Sequence, residues 1–518
     1  MRSRRNFLQT SAGLLAGAPW ISRLQRAIPA AKFDPHFATA SQAIRAIESG
    51  TISSRELTEE TFAHIRKHNP RINAFVTLLE EQALERARQA DQALARGQKW
   101  GPLHGLPILV KDSFATAGIR TTSGSKQLEK HVPAEDAIAI ERLKRAGAIL
   151  VGKTNMPEFA SDLQSYNEVA GTTNNPWDAG RTPGGSTGGG AAALAAGFGF
   201  LELGSDIGGS IQTPAHFCGI YGHKSSLGLV PLDGHIPPPP GRVDGIIDLG
   251  VAGPMARSAQ DLLLELQVIA GPKPAEARAY RWNLPAARGA SLRDYRIGYV
   301  LDDPFCRVTS EVGDVLASTI EALRKRDVTL TEGWPAGIQG QANFDLYLPL
   351  LAAAFSTAVQ EEGLKVLRES GGKPWAYYAR KWLAGIDMAH KGWLVQSGER
   401  LKYRALWQEY FRTHDAFLMP VNFIPAFRHD HNLSFFERFV DTPQGKRQYG
   451  DMLRWISFAT LSGCPATVAP AGRTPGGLPV GIQILGPFLE DATPIDLAGR
   501  LADVIGGFTA PPGFSGGQ

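Results

Sequence analysis

Two serines and one lysine hold the chemistry this sequence can be read for. Ser186 and Ser210 lie 24 residues apart, in RTPGGSTGGG and GSDIGGSIQTP, and each directly follows a Gly-Gly pair. Glycine lets the backbone take positive φ or pass close to a ligand, so Gly-Gly-Ser suits a hydroxyl presented from a tight turn. A flexible Gly/Ser linker has a similar composition. Here, however, the serines bracket AAALAAGFGFLELG, a small-residue helix followed by an apolar run with the character of a buried strand. Lys111 closes another apolar run, PILVK. Burial disfavours an ammonium ion and lowers its pKa toward the range where a neutral amine accepts a proton. A serine hydroxyl activated by such a base is equipped for acyl transfer.

Two other motifs compete for attention. Residues 184–188, GGSTG, match the nucleophile elbow G-x-S-x-G. That reading, an α/β-hydrolase-type esterase, makes Ser186 the nucleophile and requires a later acid and a histidine such as His414, His429 or His431. It leaves Lys111 and Ser210 without a role. Residues 147–154, GAILVGKT, match the phosphate-binding pattern G-x-x-x-x-G-K-[ST] letter for letter. A phosphate cradle needs a permissive loop between the glycines. Here AILV is itself strand-like, ERLKRAG before it is helical, and Pro157 follows closely, so nucleotide binding is not expected.

The elements that must position these residues alternate between helix and strand. Residues 41–70 have apolar positions at helical spacing, a Ser53–Glu56 capping box and an expected stop at Pro70. A short strand is expected within 73–79, then a charged surface helix, then the apolar run that ends at Lys111. GHIPPPPG at 234–241 predicts an extended polyproline II loop close to the site mouth. Beyond it, YRIGYVLD reads as a strand and EVGDVLASTIEALRKRD as an amphipathic helix. Residues 341–416 read as helical and rich in aromatics. The 518 residues are 43% hydrophobic with a net charge of only +4, and no Lys/Arg block suggests nucleic acid. Three distant cysteines, Cys218, Cys306 and Cys464, form neither a disulfide framework nor a metal cluster and are expected as buried thiols. No run of eighteen apolar residues predicts a membrane span.

The serine-rich stretch, PILVKDSF around Lys111, NNPWD at 174–178, VAGPMARSAQD at 251–261 and GLPVGIQILGP at 477–487 together resemble the amidase signature family, over roughly residues 38–508. The resemblance implies one large α/β domain, a mixed central β-sheet covered by helices. It implies a catalytic triad of Lys111, Ser186 and Ser210, with no metal and no cofactor. Ser210 would be the nucleophile, and Ser186, after a cis Gly185–Ser186 peptide, would relay protons to neutral Lys111. The N–H groups of Ile207, Gly208, Gly209 and Ser210 would hold the oxyanion, supported by Gly185, Thr187 and Asp206. Thr187 replaces the usual second serine, and Gln212 stands where many members have arginine. The expected activity is amide hydrolysis on a small molecule, with a neutral apolar or aryl group preferred. A homodimer is left open. The alternative is a protein like the A subunit of the tRNA-dependent amidotransferase, which shares this core.

The first 31 residues are set apart from the domain at 32–518. MRSRRNFLQ, with Arg4 and Arg5 before Phe7 and Leu8, resembles a twin-arginine export signal, and SAGLLAGAPWI follows as a modest apolar stretch. It implies a periplasmic or secreted protein; otherwise the protein is cytoplasmic.

Overall fold

Apolar runs bounded by turn residues pair into one sheet. A computed structural model describes residues 33–240, 248–356 and 361–515. The leader at 1–31 lies outside the described residues. From Pro35 onward the chain is one compact unit. Its sheet strands, in chain order, are β1 (Phe75–Leu78), β2 (Pro107–Lys111), β3 (Ile149–Thr154), β4 (Leu201–Asp206), β5 (Tyr221–Lys224), β6 (Val251–Ala256), β7 (Arg296–Tyr299), β8 (Thr329–Glu332), β9 (Ala416–Pro420), β10 (Ala466–Arg473) and β11 (Pro479–Leu485). Their spatial order is β1-β3-β2-β4-β6-β5-β10-β11-β9-β7-β8. β3, β2 and β4 run parallel, as do β9, β7 and β8, while antiparallel pairs join the two groups. This is the mixed, helix-covered sheet that the resemblance implies.

The helix between the serines is Gly188–Ala195, and all eight residues are buried. A helix apolar on every side belongs inside a core. Only Gly, Ala and one Leu fit there, because the helix is wedged against β4, β2 and β3. The capping box at Ser53–Glu56 forms, but the helix it starts runs through Pro70 to Ile72 and ends at Asn73 in the left-handed region (φ 55). Pro70 sits in the last turn and does not stop it. The three cysteines are buried and free. No helix among the described residues is long and apolar enough to cross a membrane.

The phosphate-loop look-alike is β3, a strand paired on both sides, by β1 and β2. Lys153 is fully buried, and its Nζ donates to Thr116 Oγ1 (2.9 Å), Thr121 Oγ1 (3.2 Å) and the Phe114 carbonyl. Burial pushes its pKa down to about 8, while Asp112 and Glu202 raise it. It therefore pins the chain that follows Lys111 and faces no ligand space. Lys153→Met should lower unfolding free energy by about 3 kcal/mol, since it orphans buried acceptors. Millimolar ATP with magnesium should leave the wild-type melting temperature unchanged; a saturable rise would restore the nucleotide reading.

Candidate active site

Parallel pairing brings the key side chains together. Leu109 lies opposite Glu202 and Val110 opposite Leu203, so the C-terminal ends of β2 and β4 emerge side by side. Lys111 ends the first, and Ser205 and Asp206 end the second. Lys111 is fully buried. Its Nζ lies 2.6 Å from Ser186 Oγ and 2.9 Å from Ser205 Oγ. Burial pushes its pKa down to about 7, against Asp206 and Glu202, which raise it. Glu202 is itself raised to about 8 by burial, so near neutrality much of it is protonated.

The loop with Ser186 has the expected cis Gly185–Ser186 peptide. Gly185 permits a close approach: a Cβ there would lie 2.7 Å from the Asp162 carbonyl oxygen and from backbone atoms of Leu163 and Gln164. Thr187 sits at the start of the 188–195 helix, and its N–H donates to the Ser210 carbonyl at 3.1 Å. That bond joins the two serine-bearing segments. Among the described residues the Ser210 hydroxyl makes no protein hydrogen bond, and Ser210 lines an open cavity.

Asp206 shapes the turn before Ser210. Its carboxylate accepts from the N–H groups of Gly209 (2.8 Å), Ile211 (2.8 Å) and Gln212 (3.3 Å), and from the Gln212 side-chain amide at 3.4 Å. Gln212 therefore meets Asp206 with an uncharged donor. Gly209 holds φ 85, the region that favours glycine. One expectation needs correction here. The Gly209 N–H is turned to Asp206 and does not face the cavity. Among the described residues, the N–H groups of Ile207, Gly208 and Ser210 donate to no protein group. Tyr347 holds this turn from behind, its hydroxyl donating to the Ile207 carbonyl at 2.8 Å.

The cavity in front of Ser210 has a volume of about 240 Å³. Leu163, Ile207, Leu351, Phe355, Trp382, Phe435 and Leu453 line it, with Ala160, Ser161, Asp162 and Gly208. Asp162 is tied up: its carboxylate accepts from Arg438 Nη1 (2.6 Å), Tyr449 Oη (2.7 Å), Tyr166 Oη (3.1 Å) and the Leu163 N–H (2.7 Å). Leu351, Phe355 and Trp382 come from helices Gly340–Phe355 and Ala376–Ile386, within the aromatic-rich segment. The histidines of the elbow reading lie elsewhere. His429 pairs with Asn174, His431 stacks on Tyr166 and His414 stacks on Tyr410. Among the described residues none of them bonds to Ser186, and no group of three or more His, Cys, Asp or Glu is placed to hold a metal ion.

Ser205 was missed in the sequence. Its signal, a hydroxyl just before Asp206, means something only once the β2–β4 register is known. The proline-rich loop also departs from expectation. Ile236–Pro237 and Pro237–Pro238 are cis, so it is no polyproline II rod. It lies behind Lys111, where His235 meets Ser205, and is not among the residues lining the cavity.

The family model for amidases matches residues 56–494. The A subunit of the glutamyl-tRNA(Gln) amidotransferase of Synechococcus sp. (strain CC9605) is 31% identical over 495 residues, covering 90% of this chain and 96% of that protein. A solved amidase structure is 29% identical, with a TM-score of 0.74 over 90% of this chain and all of the other. A bacterial aryl acylamidase of the amidase signature enzymes family has the same fold, at TM-score 0.76 and 23% identity, over 90% of this chain and 96% of that one.

The lowered pKa of Lys111 has a signed consequence. Only the neutral amine accepts a proton, so covalent reaction of the cavity serine with a fluorophosphonate should rise with pH through about 7. It should level off about one unit above that midpoint. A rate that stays flat from about pH 5 to about pH 9 would remove Lys111 from the proton path.

Proposed function

This chain belongs to the amidase family, and we propose that within it the protein is a serine amide hydrolase acting on an uncharged apolar or aryl amide. One observation carries the reading: the buried Lys111–Ser186 contact of 2.6 Å adjoins Ser210, which opens onto an apolar cavity. Amide cleavage needs an activated nucleophile, donors for the oxyanion and a proton for the departing nitrogen. Ser210 Oγ attacks the carbonyl carbon as its proton passes to Ser186, whose own proton passes to neutral Lys111. The N–H groups of Ile207, Gly208 and Ser210 stabilise the resulting oxyanion. Lys111, now an ammonium, returns a proton through Ser186 to the amide nitrogen as the C–N bond breaks. Water then attacks the acyl-Ser210 ester by the same relay, releasing the acid and restoring Ser210.

The cavity supports the substrate class. Its walls are mainly aliphatic and aromatic, and Asp162, the charged lining residue, is already matched by Arg438. A substrate with a free ammonium and carboxylate would meet no unmatched charge among the described lining residues, and desolvating such ions without partners is strongly unfavourable. A second reading, an A-subunit-like partner in an amidotransferase, is supported by the curated relatives that match nearly end to end. The leader, read as a twin-arginine signal, favours a protein that works outside the cytoplasm and apart from translation.

Three measurements test this. The purified protein alone should hydrolyse aryl or apolar acyl amides faster than the side-chain amide of glutamine; preference for glutamine, or turnover only with partner subunits, would favour the second reading. Ser210→Ala should abolish fluorophosphonate labelling, and Ser186→Ala should label slowly, by about 10²–10⁴-fold, the usual worth of general base work. A labelled peptide containing Ser186 would reverse the assignment. Fused to a reporter, the leader should drive export that stops when Arg4 and Arg5 both become lysine; persistent export would place the protein elsewhere.

A further inference from the structure

From Lys111 a second hydrogen-bonded chain, separate from the contact with Ser186, runs into the proline-rich loop. Ser205 Oγ is 2.9 Å from Lys111 Nζ and 2.9 Å from His235 Nε2, and His235 Nδ1 is 2.9 Å from the Pro237 carbonyl oxygen. A carbonyl can only accept, so Nδ1 carries the hydrogen. In a neutral imidazole Nε2 then has a lone pair and accepts. The Ser205 hydroxyl must therefore donate to His235, and toward Lys111 it can only accept.

We propose that His235 is a positioning residue for Lys111: by accepting the Ser205 proton, it holds Ser205 as an acceptor and turns the lysine lone pair toward Ser186. The proposal rests on Lys111 being the base. A neutral amine has two hydrogens and one lone pair. With one N–H directed at Ser205, the lone pair is free to meet the Ser186 hydroxyl. Without His235, the Ser205 hydroxyl is free to rotate, donate to that lone pair and block the base.

The surroundings fix the imidazole. Ala115 N–H donates to Gly234 C=O (2.8 Å), Ile236 N–H to Ser113 C=O (2.7 Å) and Ser123 Oγ to Ile236 C=O (3.0 Å). The ring stands edge-on to Phe114, centroids 5.0 Å apart. The loop is thus tied to the residues that directly follow Lys111. Burial, opposed by the hydrogen bond to the Pro237 carbonyl and aided by Lys111, pushes His235 down to about 3, so it stays neutral over the working range. The charged groups acting on Lys111 are Glu202 and Asp206 on β4. Asp112, next in the chain, accepts from Thr122, and Lys153, opposite Val110 on β3, donates to the Phe114 carbonyl, Thr116 and Thr121. None of these bonds to Ser205 among the described residues.

The test follows fluorophosphonate labelling of Ser210 against pH in the full-length protein, for wild type, His235→Gln, His235→Leu, Ser205→Ala and Lys111→Met. Gln Oε1 can accept near the position of Nε2, so His235→Gln should stay within about threefold of wild type. His235→Leu and Ser205→Ala should each slow labelling by about 10- to 100-fold, the worth of one hydrogen bond to an ionisable group. In both, the pH midpoint should move lower, because Ser205 no longer favours the ammonium as a fixed acceptor. Wild-type rate and midpoint in His235→Leu would overturn the proposal, as would equal impairment of the Gln and Leu variants with a matching fall in melting temperature. If His235→Leu does not fold, Ser205→Ala decides alone: an unshifted midpoint overturns the proposal. Lys111→Met labelling at the wild-type rate would instead overturn the base assignment, a result distinct from an inert His235.

Discussion

Everything in this active site depends on keeping one amine out of water. Moving a lysine into a low-dielectric interior disfavours its charge by several pKa units when nothing compensates. Lys111 is fully buried but has two carboxyl groups within electrostatic reach, so its pKa comes down to about 7 and no further. The balance is delicate because Glu202 is also desolvated and partly protonated near neutrality. The parallel β2–β4 pairing fixes both carboxyl groups relative to the amine, because Lys111, Glu202 and Asp206 all lie on these two neighbouring strands.

Much of this was legible in the sequence because local motifs encode local geometry. The apolar run before Lys111, the glycines before Ser186 and Ser210 and the small-residue helix between them each state their environment within a few residues. The strand identity of GAILVGKT was readable for the same reason. What stayed hidden depends on register between distant strands. Ser205 takes its meaning from lying beside Lys111, 94 residues away, and the Gly209 N–H is claimed by a carboxylate whose direction no spacing rule supplies. The proline run misled in a similar way, since composition favoured an extended rod while the fold needed a turn behind the lysine.

The division between machinery and substrate recognition follows the same line. Lys111, Ser186 and Ser210 lie within residues 111–210, whereas much of the apolar cavity wall comes from beyond residue 340, and the family match spans both. Proteins named as an amidase, an aryl acylamidase and an amidotransferase subunit all resemble this chain. A fold identifies a reaction centre only through the groups placed on it.

The contact at Gly185 has a wider meaning. The Asp162–Gln164 backbone lies so close to the loop that carries Ser186 that no side chain fits between them. Divergence of such an enzyme toward new substrates is consequently channelled. Side chains on the helical wall meet no such constraint, while any backbone change at Asp162–Gln164 bears directly on the loop that carries Ser186. The architecture separates a freer half of the pocket from a constrained half, and the line between them runs through a residue with no side chain.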